Sequence, residues 1–72
     1  MNCPALHSES LAFAELEVRR TRLRAHRAVQ HLDMMENLGV PAGERLARSH
    51  VEQSVAAFRA ALNKRRFEVA NL

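Results

Sequence analysis

The sequence predicts an all-α protein in which two long helices fold back on each other as an antiparallel hairpin. Three observations predict it. Both glycines and the only proline beyond position 4 fall within Asn37-Leu38-Gly39-Val40-Pro41-Ala42-Gly43, near the middle of the 72 residues. The flanks are nearly equal in length and rich in helix-favouring residues, with twelve alanines and ten arginines against the single Lys64. In both flanks apolar residues recur at steps of three and four, the period that gives a helix one apolar side. A chain this short makes one domain near the lower limit for folding alone. The expected organisation is a first helix over about 6–38, a turn at 39–42 and a second helix over about 43–70.

Two starts suit the first helix: Pro4 at its first position, or Ser8 as cap with Glu9 in the first turn. From Leu11 the stripe runs through Ala14, Val18, Thr21, Ala25, Ala28, Leu32 and Met35, and Val29 widens it. Its residues are mostly small, which lets a partner helix come close. Leu16 and Leu23 stand on nearly the opposite side, with Ala12 and Met34 near the same line. A helix with one neighbour has no need of that second stripe, so it predicts a second packing partner.

Between the stripes lies the basic segment Arg19-Arg20-Thr21-Arg22-Leu23-Arg24-Ala25-His26-Arg27. Glu15 can pair with Arg19 one turn later, for a few tenths of a kcal/mol at most (roughly 0.2–0.5). Arginine suits phosphate contact. However, Asp33 and Glu36 follow, and no aromatic residue is interleaved for base stacking. The same arginines serve equally as a solvated helix surface.

At the turn, Gly39 can take the left-handed conformation that closes a helix, with Val40 as the apolar residue after the cap. Pro41 cannot continue the first helix but suits the first turn of the second. Glu44 then complements the second helix dipole. The second stripe is Val51, Val55, Phe58, Leu62 and Val69, with Ala47 extending it backward and Arg65 interrupting it. An Ala-rich line, Ser49, Ala56, Ala60 and Phe67, marks the back of this helix.

A fold-back near residue 40 pairs positions whose numbers sum to about 80. It matches Val29 with Val51, Ala25 with Val55, Val18 with Leu62 and Leu11 with Val69. Phe58 falls opposite Thr21, Arg22 and Ala25, where small groups make room. Arg65 lands near Glu15 and is expected to pair with it. The expected hairpin core is therefore Val18, Ala25, Val29, Val51, Val55, Phe58 and Leu62. Two helices enclose no core of their own, so dimerisation into a four-helix bundle is expected, with Leu16, Leu23, Ala56, Ala60 and Phe67 as the dimer face or the partner-binding face.

The residues give little sign of catalysis or metal binding. His7, His26, His31 and His50 include no pair at the three- or four-residue spacing that stacks two ligands on a helix. His31 and His50 can approach across the hairpin, as plain surface groups or as a pH-sensitive contact. Cys3 has no local base or partner, and the carboxylates are scattered. No glycine-rich phosphate loop precedes a Lys-Ser/Thr pair, and a helical hairpin offers no obvious concave pocket. Neither enzyme activity, a cofactor nor a small-molecule substrate is expected. The helices are too long and too few for a helix-turn-helix DNA reader, and Gly39 with Pro41 excludes a continuous basic zipper.

The N-terminus lacks the basic-then-apolar pattern of a secretory signal, and no apolar run approaches the ~18 residues of a membrane span. With one cysteine, the expectation is a soluble cytoplasmic protein. The Ala/Arg bias suggests a bacterial or bacteriophage genome rich in G and C. The formal charge of +3 and pI near 10.5 allow an acidic protein or RNA as partner.

These features predict a small dimeric module that binds and regulates another protein, as inhibitor, antiactivator or adaptor, and that is encoded by a phage or plasmid. The layout is also similar to that of the ROP-type dimers, whose hairpins form a four-helix bundle that grips paired RNA loops. Arg19, Arg20, Arg24 and Arg27 are the residues expected to meet phosphates in that reading, or an acidic partner in the first. A third alternative is an assembly chaperone or a structural subunit of a larger complex.

Overall fold

The computed structural model describes the backbone of residues 4–71 and the side chains of residues 9–71. Cys3 and the side chain of His7, both weighed above, lie outside the described residues. Two helices, α1 (Pro4–Leu38) and α2 (Pro41–Ala70), pack side by side as a hairpin. Its backbone measures 58 × 13 × 12 Å along the principal axes.

The turn is two residues long because each does one job. Gly39 has φ +68°, and its N–H donates to the carbonyls of Met35 (3.1 Å) and Glu36 (3.2 Å). That is the left-handed closure a Cβ would strain. Val40 is extended (φ −103°, ψ 101°), as a residue before proline must be, and its carbonyl accepts the Glu44 N–H at 2.9 Å. Helix α2 therefore starts at Pro41, two residues earlier than expected, because proline already has helical φ and no N–H to lose. Helix α1 begins at Pro4, so Ser8 lies inside it. At the far end Asn71 caps α2, its side-chain amide donating to the Phe67 carbonyl at 2.7 Å.

The buried side of α1 is Ala14, Val18, Thr21, Ala25 and Ala28, with Leu11, Leu32 and Met35 half-buried at its ends. Thr21 is tolerated there because its hydroxyl donates to the Glu17 carbonyl at 2.7 Å, with the Val18 carbonyl at 3.2 Å. On α2 the fully buried line is Ala47, Ser54 and Ala61. This corrects the expected stripe. Val55 and Leu62 each follow a buried small residue, which turns them about 100° off the seam. They and Val51 and Phe58 are only half-buried. Val69 is 52 % exposed, and Val29, expected in the core, is 49 % exposed. Small residues win the seam because they allow the closest approach along its length; the large ones then shelter its edge.

The expected Glu15–Arg65 pair does not form. Both side chains are exposed, and the one ion pair among the described residues is Arg48–Glu36, at 3.9 Å across the helices near the turn.

Candidate partner-binding groove

The seam divides the hairpin into two flanks. Helical geometry puts Arg20, Arg24, Arg27 and His31 of α1 on one side of it, at successive steps of four, three and four residues. Leu46 and His50 of α2 stand across from them. Together with Leu23 and the seam residues Ala28 and Ala47, they line a groove of about 590 Å³. A hollow of about 120 Å³, lined by Arg24, His50, Gln53, Ser54 and Ala57, continues it along α2.

The groove exists because its floor is alanine. Ala28 and Ala47 keep the helices close but fill little space above the seam, and the long arginines rise beside it. Leu23 and Leu46 are 50 % and 75 % exposed, so the groove offers apolar surface as well as charge. None of its nine lining residues is a carboxylate. Three guanidinium groups therefore stand along one wall without a counter-charge in the lining. Each presents the planar donor fork that suits a carboxylate or phosphate.

Of the residues singled out in the sequence, the groove brings together Arg20, Arg24, Arg27 and Leu23, and also His31 with His50. Arg19 is not among them; one residue before Arg20, it turns toward the opposite flank. The expected dimer residues do not make one patch. Leu16 projects from the outer edge of α1, where it lines a shallow hollow of about 180 Å³ with Glu9, Ala12 and Phe13. Ala56 projects from the outer edge of α2, diametrically away from Leu16. Ala60 and Phe67 stand on the groove side of α2, Phe67 66 % exposed. Leu46, Gln53 and Ala57 escaped sequence reasoning. The spacing of Ala47, Ser54 and Ala61, seven residues apart, is the signal that would have found them, because it marks where the helices touch.

The opposite flank is different in kind. It carries Val29, Val55, Leu62 and Val69 beside half-buried Phe58, bordered by Glu15, Glu36, Arg22 and Arg48. Both signs of charge occur there, and Glu36 and Arg48 already pair.

Among the described residues no three His, Cys, Asp or Glu side chains gather to hold a metal ion. Among the described residues no helix is long and apolar enough to cross a membrane. No family model, curated protein or solved structure matches this chain.

Proposed function

We propose that this chain is a non-enzymatic protein-interaction module: a helical hairpin that pairs with a second copy as a four-helix bundle and binds a partner protein in its basic groove. Inhibition, antiactivation or adaptor action fits such a module. One observation carries the reading. The seam is mostly alanine with Val18, Thr21 and Ser54, so larger apolar groups such as Leu23 and Leu46 on one flank and Val29 and Val69 on the other remain exposed. A hairpin with so little enclosed surface is marginal alone and gains most from company.

Charge separates the two roles. The Val29–Val55–Leu62 flank carries both signs of charge, so two copies can face each other with opposite charges meeting. The groove cannot do this, since two copies of it would oppose arginine to arginine. The dimer face therefore shifts from Leu16, Leu23, Ala56, Ala60 and Phe67 to the flank opposite the groove.

Two variants test the reading. Leu62→Glu, on the mixed-charge flank, should yield a monomer by sedimentation, while the unmodified chain sediments as a dimer at micromolar concentration. Leu23→Glu should keep the dimer and lose a partner captured from bacterial lysate, identified by mass spectrometry and rebound in purified form. A monomeric unmodified chain rejects the bundle; an undiminished partner in Leu23→Glu rejects the groove. The row Arg20, Arg24 and Arg27 also favours RNA as alternative occupant. Bound nucleic acid released by a high-salt wash would support that alternative.

A further inference from the structure

We infer that the groove is shaped for an amphipathic acidic helix, whose carboxylates meet Arg20, Arg24 and Arg27 and whose apolar residues cover Leu23 and Leu46. The inference rests on the interaction-module reading and names the chemistry of its partner.

The first argument is period. Arg20, Arg24, Arg27 and His31 climb one wall of the groove at steps of four, three and four. Eleven residues at ~1.5 Å each make that wall ~16 Å long. A second helix lying along it has the same rise, so carboxylates at i, i+4 and i+7 keep pace with the guanidiniums. An extended strand, at ~3.3 Å per residue with alternating sides, repeats every ~6.6 Å; it keeps step with Arg24 but is ~3 Å out by Arg27 and His31.

The second argument is charge. The lining has three arginines, two histidines and no carboxylate. A neutral apolar helix would cover these cations and strip their water without replacing it. An acidic one replaces it with charge-assisted, bidentate hydrogen bonds.

The third argument is the leucines. Leu23 flanks the arginines from the outer edge and Leu46 faces them across the floor. A phosphate backbone gains nothing from burying either side chain, and no aromatic residue in the groove can stack on a base. A helix with leucines beside its glutamates covers both, and the alanine floor lets it settle against the seam.

The probes are three synthetic helical peptides titrated calorimetrically against the full chain. One carries glutamates at i, i+4 and i+7 with leucines on the adjoining line. The second has glutamine for each glutamate, and the third has serine for each leucine. The first should bind with 1:1 stoichiometry per chain, and either replacement should weaken it by about tenfold or more. The double variant Arg24→Gln/Arg27→Gln should lose a similar factor while keeping its helical circular dichroism. Arg22→Gln/Arg48→Gln, on the other flank, should bind as the parent does. Equal binding of the glutamine peptide overturns the inference, as does equal loss in the two arginine pairs. A single-stranded RNA oligomer that outcompetes the acidic peptide reassigns the groove to nucleic acid and overturns it too. If the peptides fail while Leu23→Glu still loses its natural partner, this inference falls and the interaction-module reading stands.

Discussion

The two flanks of the hairpin are built from the same two helices, yet they present opposite surfaces. One has a row of arginines over an alanine floor with no acid in its lining. The other has half-buried Val55, Phe58 and Leu62 edged by charges of both signs, two of which pair at 3.9 Å. The difference comes from which residues hold the seam. With Ala47, Ser54 and Ala61 at the contact, Val55 and Leu62 turn to one side, and the other side holds the arginines of α1 with Leu46 and Phe67 of α2. A seam of valine and leucine would have hidden the apolar flank and left no groove beside the arginines.

The strongest way to break this comparison is to thicken the seam. Ala28 is buried under the groove, and its neighbour Val29 stands half-exposed on the opposite flank. Ala28→Leu should force the helices apart and cost about 1–3 kcal/mol in urea unfolding. Val29→Leu should change stability by less than about 0.5 kcal/mol. Equal effects would mean that the two positions do not lie on different sides of the contact.

Register comes next, because the turn decides which residues meet. Gly39→Ala places a Cβ in the left-handed region and should cost about 1 kcal/mol. Gly43 makes a control of different origin. A Cβ there would come within 2.9 Å of the Met35 sulfur, but its φ is not positive. The flexible thioether can yield, and alanine improves helix propensity by about 1 kcal/mol. Gly43→Ala should therefore be nearly neutral by thermal unfolding.

A gain of similar or smaller size is expected at Val40, which caps α2 with no side-chain hydrogen bond and is itself exposed. Val40→Ser supplies the missing acceptor and should raise stability by about 0.5–1 kcal/mol, read as a higher melting temperature. The smallest effect belongs to Arg48→Gln. Its ion pair with Glu36 is long and solvent-exposed, so its loss should cost no more than about 0.5 kcal/mol and less in high salt.

The hairpin was legible because its signals are local. Gly39, Val40 and Pro41 each permit few conformations, and together they permit the turn. The stripe of α1 was legible too, because Ala14, Val18, Thr21, Ala25 and Ala28 are both the periodic residues and the small ones. In α2 those criteria part company. Periodic hydrophobicity picks Val55 and Leu62, whereas close approach picks Ser54 and Ala61, one residue earlier. Hydropathy ranks serine as polar, so the true contact line was hidden at Ser54. The same one-residue offset accounts for Val29, which follows buried Ala28 and turns off the seam, and for Leu46, which precedes buried Ala47 and turns into the groove. Of the groove, the arginines were visible as a basic segment. Which of them share a wall was not, because that depends on where the helix is turned by its partner.

Amide chemical shifts of the isotope-labelled full chain, followed as the acidic leucine-bearing peptide is added, test the division of labour between the flanks most directly. Shifts concentrated at Leu23, Arg24, Arg27, Leu46 and His50, with Val29, Val55 and Leu62 unmoved, are the predicted result. Shifts concentrated at Val29, Val55 and Leu62 instead, or spread evenly along both helices, would contradict it.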